Sequence, residues 1–94
     1  MKRASFGPWL RLQRQNVGLS TRALARLCGV APSHISEIES GFHPASERVA
    51  TLFSLHLKRD RDEMLLRAGH VPPDIVTLLG ENPQLCARLR QQSL

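Results

Sequence analysis

Leu19-Ser-Thr-Arg-Ala-Leu-Ala-Arg-Leu-Cys-Gly-Val-Ala-Pro-Ser-His-Ile-Ser-Glu-Ile-Glu-Ser-Gly41 is the stretch whose reading decides the fold. Ser20 is an N-cap residue, so its hydroxyl can satisfy a free amide at the start of a helix. That helix runs Thr21–Cys28 and stops at Gly29, with Leu24, Leu27 and Cys28 on its expected buried stripe. Pro32 is favoured in a first helical turn and opens a second helix that runs to Ser40 and ends at Gly41. Ile35 and Ile38 are three apart and face inward. Small Ala25 lets the two helices approach closely, Gly29 permits a left-handed turn, and Val30 plugs the gap behind it.

The flanking sequence continues the helical pattern. A first helix begins near Ser5–Pro8 and ends before Gly18, with Phe6, Leu10 and Val17 sharing a face. A fourth is capped by Ser46 and runs Glu47–Leu57, burying Val49, Leu52 and Phe53. A fifth opens with Asp60-Arg61-Asp62-Glu63, which resembles a capping box, buries Met64, Leu65 and Ala68, and ends at Gly69. Val71-Pro72-Pro73-Asp74 reads as a rigid link. A short helix Asp74–Leu79 follows, ending at Gly80. Asn82 as N-cap with Pro83 behind it starts a last helix through Leu89, and Gln91–Leu94 frays. No segment alternates apolar and polar residues between hairpin turns, so no strand is expected and the fold class is all-α.

Composition narrows the function. Ninety-four residues make one small domain, and 41% hydrophobic with 22% charged residues is ordinary for a globular chain. Tyrosine is absent and only three Phe and one Trp occur, which argues against a β-sandwich or an aromatic RNA-binding sheet. Thirteen Lys and Arg against eight Asp and Glu give +5, and eleven of the thirteen are Arg, whose planar fork suits phosphate. No apolar run approaches the ~20 residues needed to span a bilayer, so no membrane role is expected. The N-terminus is expected to carry no secretory signal, since no apolar run follows its two basic residues, and Cys28 and Cys86 read as free thiols of a cytoplasmic protein.

A helix, a tight glycine turn and a second helix are the physical recipe of a helix-turn-helix, whose second helix enters the DNA major groove. A generic αα-hairpin also places Gly in its turn. The further residues Leu10-Arg11-x-x-Arg14, Gly18-Leu19-Ser20, Leu24-Ala25, Gly29-Val30, Ile35-Ser36-x-Ile38-Glu39-x-Gly41 and Pro44 resemble the XRE family of Cro/cI-type regulators over about residues 6–68. The resemblance implies a five-helix, lambda-repressor-like DNA-binding domain over 1–69. Residues 70–94 form a helical extension beyond it, for dimerisation or for closing the core.

The resemblance also implies a set of DNA-contacting residues. Thr21 stands where a side chain and a helix N-terminus hold a phosphate, with Arg22 exposed beside it. Pro32, Ser33, His34 and Glu37 occupy outward positions of the recognition helix. Ser40 and His43 lie in the loop that approaches the backbone. Arg14 pairs with Glu39 between the first and third helices and reaches toward a phosphate. Glu37 can accept from cytosine N4 but also repels phosphate. Ala31 stands where Ser or Thr often caps, so one cap hydrogen bond is lost, worth roughly 1 kcal/mol. The junction Leu57–Asp60 looks one residue longer than usual.

Other classes find no support. The four His and two Cys lack metal-ligand spacing, and no GxSxG, P-loop, Rossmann or HExxH motif occurs, so neither a metal, a cofactor nor an enzyme is expected. Arg11, Arg26, Arg48, Arg59, Arg61 and Arg67 read as solvated charges. The expected function is a homodimeric repressor on a double-stranded, inverted-repeat operator. The alternative is an antitoxin-like module that binds a partner protein through its extension. Both readings draw on an apolar surplus: Ile75, Val76, Leu78, Leu79, Leu85 and Leu89 in the extension, with Trp9 and Leu12 left over on the first helix. The extension is expected to pack over the first and fifth helices.

Overall fold

A computed structural model describes residues 6–92. They form seven helices: α1 Phe6–Asn16, α2 Thr21–Cys28, α3 Pro32–Glu39, α4 Glu47–His56, α5 Arg61–Arg67, α6 Pro73–Glu81 and α7 Gln84–Gln92. Among the described residues there is no strand. Met1–Ser5, the first part of the stretch expected to lack a secretory signal, and Ser93 and Leu94 of the end expected to fray lie outside the described residues; Gln91 and Gln92 are helical.

Local chemistry accounts for most helix ends. The Ser20 hydroxyl accepts from the Ala23 amide at 3.0 Å, Ser46 from Val49 at 3.2 Å, and the Asp60 carboxylate from Glu63 at 2.9 Å. Each such cap is worth about 1 kcal/mol. Ala31 makes no side-chain cap, and Pro32 supplies a preset first turn instead. The Asp60 motif differs from a reciprocal box, since the Glu63 carboxylate reaches Arg59 at 2.6 Å and Arg67 at 3.5 Å. α2 ends at Gly29, where the Val30 amide donates to the Ala25 carbonyl at 3.0 Å. α4 makes the corresponding turn without glycine: Lys58 sits at φ 57° and Arg59 donates to the Ser54 carbonyl at 2.9 Å. A left-handed Lys costs about 1 kcal/mol relative to glycine.

The core forms where α1 packs on α3, α2 on α3 and α4, and α4 on α5. Leu10, Leu24, Ile35, Ile38, Phe53 and Met64 are fully buried in it. Ala25, 1% exposed, allows the close approach of α2 to its neighbours, and Val30 is packed against the core. Phe53 fills the inner face of α4, and truncating such a ring to Ala costs about 3–5 kcal/mol.

Several expectations are corrected. Leu27 is 46% exposed, because Ala25 and not Leu27 shares the inward face with Leu24 and Cys28. Val17 is exposed since α1 ends at Asn16; Gln13 and Arg14 take the inner positions. Trp9 is no leftover: it packs against the core, with the guanidinium carbons of Arg67 and Arg59 at 4.4 and 5.5 Å from its ring centroid. Arg59 and Arg67 therefore tie α1 to α5 by cation–π stacking, while Glu63 pairs with both arginines beside α5. α6 runs through Gly80, and Asn82 ends α6, its amide donating to the Leu78 carbonyl at 3.1 Å, rather than starting α7.

The extension does not lie over α1 and α5. α6 and α7 pack chiefly on each other and contain no buried residue, so they do not close the core. Pro72 is buried and His70 Nε2 lies 2.7 Å from the Ala45 carbonyl, so the link is tied down while the hairpin beyond it projects. The chain is accordingly elongated, 44 × 24 × 22 Å, with a radius of gyration of 14.7 Å against about 12 Å for a compact chain of this size.

Candidate nucleic-acid interface

Two isoleucines orient α3. Ile35 and Ile38 are 0% and 1% exposed, so the opposite face of this eight-residue helix must look outward. That face presents Pro32, Ser33 and Ser36 exposed to solvent, with His34 and Glu37 half-exposed. Ser33 and Glu37 stand one turn apart on the same side, as their spacing predicts.

The position of α3 is braced from α1. Arg14 Nε donates to Glu39 Oε2 at 2.7 Å and Nη2 to Oε1 at 3.0 Å, while Nη1 donates to the Leu19 carbonyl at 2.9 Å. Both side chains are about nine-tenths buried. The Glu39 hydrogen bond raises the Arg14 pKa above its ordinary value despite burial, so the guanidinium stays charged. Three of the five guanidinium N–H groups are thus committed within the protein, and Arg14 serves first to hold α1, the α2 entry and α3 together.

α1 and α3 also touch through backbone. A Cβ placed on Gly7 would fall on the Glu39 carbonyl oxygen and lie 2.8 Å from that of Ile38. Only glycine admits this approach, and nothing in the local sequence marks it.

A cleft of about 240 Å³ opens between these elements, lined by Arg11, Arg14, Thr21, Ser36, Glu39 and Ser40. It brings together three residues expected to meet DNA (Arg14, Thr21 and Ser40) at the start of α2 and the end of α3. Arg22 is exposed next to Thr21. Arg11, expected as a solvated charge, is the exposed cation at the cleft, one turn before Arg14 on α1. That spacing was the available signal. An oxyanion at this mouth would meet the first amides of α2, its positive dipole end and the Arg11 guanidinium.

At the other end of α3, His43 Nε2 lies 3.3 Å from Glu37 Oε2, and the His34 and His43 rings are 6.3 Å apart. Among the described residues no group of three or more His, Cys, Asp or Glu could hold a metal. No described helix is long and apolar enough to cross a membrane. Cys28 is buried and unpaired, and burial pushes its thiol pKa up; Cys86 is half-buried and unpaired.

A capped helix, a glycine turn and a second helix braced on its inner face, with a polar outer row beside a cationic cleft, define a protein of the helix-turn-helix class. The family profile of the helix-turn-helix domain matches residues 5–66, and the chain belongs to that family of DNA-binding transcription regulators. Its fold is similar to the restriction-modification controller protein C.AhdI from Aeromonas hydrophila (TM-score 0.61, 29% identity, over 66% of this chain and 94% of that one). It is similar as well to the clp gene regulator ClgR from C. glutamicum (TM-score 0.61, 28% identity, over 71% of this chain and 87% of that one). A search of the curated proteins found no match.

Proposed function

We propose that the protein is a sequence-specific repressor that binds an inverted-repeat operator as a homodimer. The observation that carries the DNA-reading part is the outward row Ser33, His34 and Glu37 on a helix whose inner face and C-terminal end are locked by Ile35, Ile38 and the Arg14–Glu39 pair. Thr21, Arg22 and Arg11 contact phosphate, which fixes the register, and the outer row of α3 reads base edges. Ser40 and His43 approach the backbone from the loop after α3, and Pro32 starts α3 at the groove. Two similar structures are of a controller and a gene regulator, which fits a role in transcription.

The dimer reading rests on the α6–α7 hairpin. Ile75, Val76, Leu78 and Leu89 are 37–55% exposed on it. Nine-residue helices do not persist alone in water, so a hairpin with no fully buried residue calls for a cover. α6 carries Asp74 and Glu81 and α7 carries Arg88 and Arg90, so a second copy laid antiparallel sets acidic α6 against basic α7. Two copies would then read half-sites about one helical turn, roughly 34–36 Å, apart.

The test is selection of bound duplexes from a random pool near physiological salt, with sedimentation of the same sample. A two-fold symmetric consensus and a dimer mass are expected. A monomer that enriches no sequence would overturn the reading and turn attention to a protein partner for the hairpin.

A further inference from the structure

The turn that ends α3 is built to bring one side chain over another. Gly41, at φ 83°, donates its amide to the Ile38 carbonyl at 3.1 Å, and the Phe42 amide donates to the Glu37 carbonyl at 2.9 Å. This pair of bonds is the Schellman arrangement, which folds the chain back along the last helical turn. The hydrophobic contact that often accompanies it is missing, since the Phe42 ring is 80% exposed. Backbone hydrogen bonds, not packing, therefore place the next residue, His43, with Nε2 at 3.3 Å from Glu37 Oε2.

We propose that Glu37 and His43 form a single base-reading unit for cytosine, with Glu37 as the acceptor and His43 as its positioning residue. The proposal rests on the DNA-binding reading above. An exposed glutamate on a helix samples several rotamers, and an ordered one must lose that freedom on binding. The His43 ring lies against one carboxylate oxygen, Oε2, and leaves Oε1 as an acceptor. In the major groove, cytosine offers the N4 amino donor. Guanine shows only acceptors and thymine an acceptor beside a methyl group, while adenine places the N7 acceptor next to its donor, against a carboxylate.

The experiment compares wild type with Glu37→Gln, His43→Ala and His43→Gln, all as full-length protein, by selection from a random duplex pool followed by titration of single-base operator variants. Circular dichroism checks that these surface changes leave the helices intact. Wild type should demand cytosine at one position of each half-site. Glu37→Gln should move that position toward adenine, which suits an amide. His43→Ala should lower discrimination at that same position about ten-fold, and His43→Gln, which retains a donor, should restore most of it. Uniform weakening by His43→Ala at every base, which a backbone contact alone would give, or no effect, overturns the unit while leaving Glu37 as a reader. An unchanged preference in Glu37→Gln removes Glu37 from base reading. Absence of sequence-selective binding by wild type refutes the underlying DNA-binding reading itself.

Discussion

Gly7 in α1 lies directly against the carbonyl of Glu39 at the end of α3, thirty-two residues further along the chain, with no room for a Cβ between them. The neighbour is backbone, so it cannot swing aside as a flexible side chain would. The same Glu39 receives two hydrogen bonds from Arg14. One contact sets the distance between α1 and α3, and the other sets their register.

Replacing Gly7 by Ala tests the first contact. Alanine would gain up to about 1 kcal/mol of helix propensity at an uncrowded site. Here the added methyl must push α3 outward, and overpacking against fixed atoms costs about 1–3 kcal/mol. The expected result is net destabilisation in urea unfolding together with weaker DNA binding. A rise in the unfolding midpoint would show that the approach is not tight.

The second contact predicts an asymmetry between single and double changes. Glu39→Gln leaves the buried Arg14 guanidinium without its counter-charge and should cost about 3 kcal/mol, a large share of a small domain's stability. The double change Arg14→Met with Glu39→Leu removes both charges and should cost much less. Chemical denaturation of the three variants checks this. Equal losses in the single and double variants would count against an ion-pair brace.

Salt dependence separates phosphate contacts from base contacts. Arg11→Ala and Arg22→Ala should each weaken all duplexes alike and reduce the slope of log affinity against log salt by about one. Thr21→Ala should weaken all duplexes alike with the slope kept, because it carries no charge. Titrations at several salt concentrations give both quantities. An unchanged slope for Arg11→Ala would remove that residue from the cleft's phosphate site.

The two thiols should differ in reactivity. Cys28 is buried, and burial raises its pKa, whereas Cys86 is half-buried. One thiol per chain should react quickly with an aromatic disulfide reagent in the native protein, and a second only in denaturant. The raised pKa has a consequence for stability. The folded state favours the protonated Cys28, so its contribution is complete below the unfolded-state thiol pKa and is lost as pH rises through the higher folded-state value. Unfolding followed from neutral to alkaline pH, against Cys28→Ala, measures that loss.

Residue type and spacing alone determined the two helices and the turn between them, because their signals are local. Ser20, Ser46 and Asp60 cap helices within their own first turns, Gly29 ends α2 within five residues of Ala25, and Ile35 and Ile38 face inward by helical period. Interactions of this range need no knowledge of the rest of the chain. The Arg14–Glu39 pair became legible through family resemblance, since 25 residues separate its partners.

What depended on distant surfaces was decided only by the tertiary structure. Gly7 owes its identity to a carbonyl of α3, and Trp9 is covered because Arg59 and Arg67 arrive from beyond α4. Arg11 gained its place at the cleft from elements contributed by α2 and α3. The apolar surplus of residues 73–92 was visible as composition, but hydrophobicity has no direction. It states how much surface should leave water and not which surface will cover it. The fold answers half of that question: the α1–α5 core is filled without the hairpin, which stands apart with Ile75, Val76, Leu78 and Leu89 exposed.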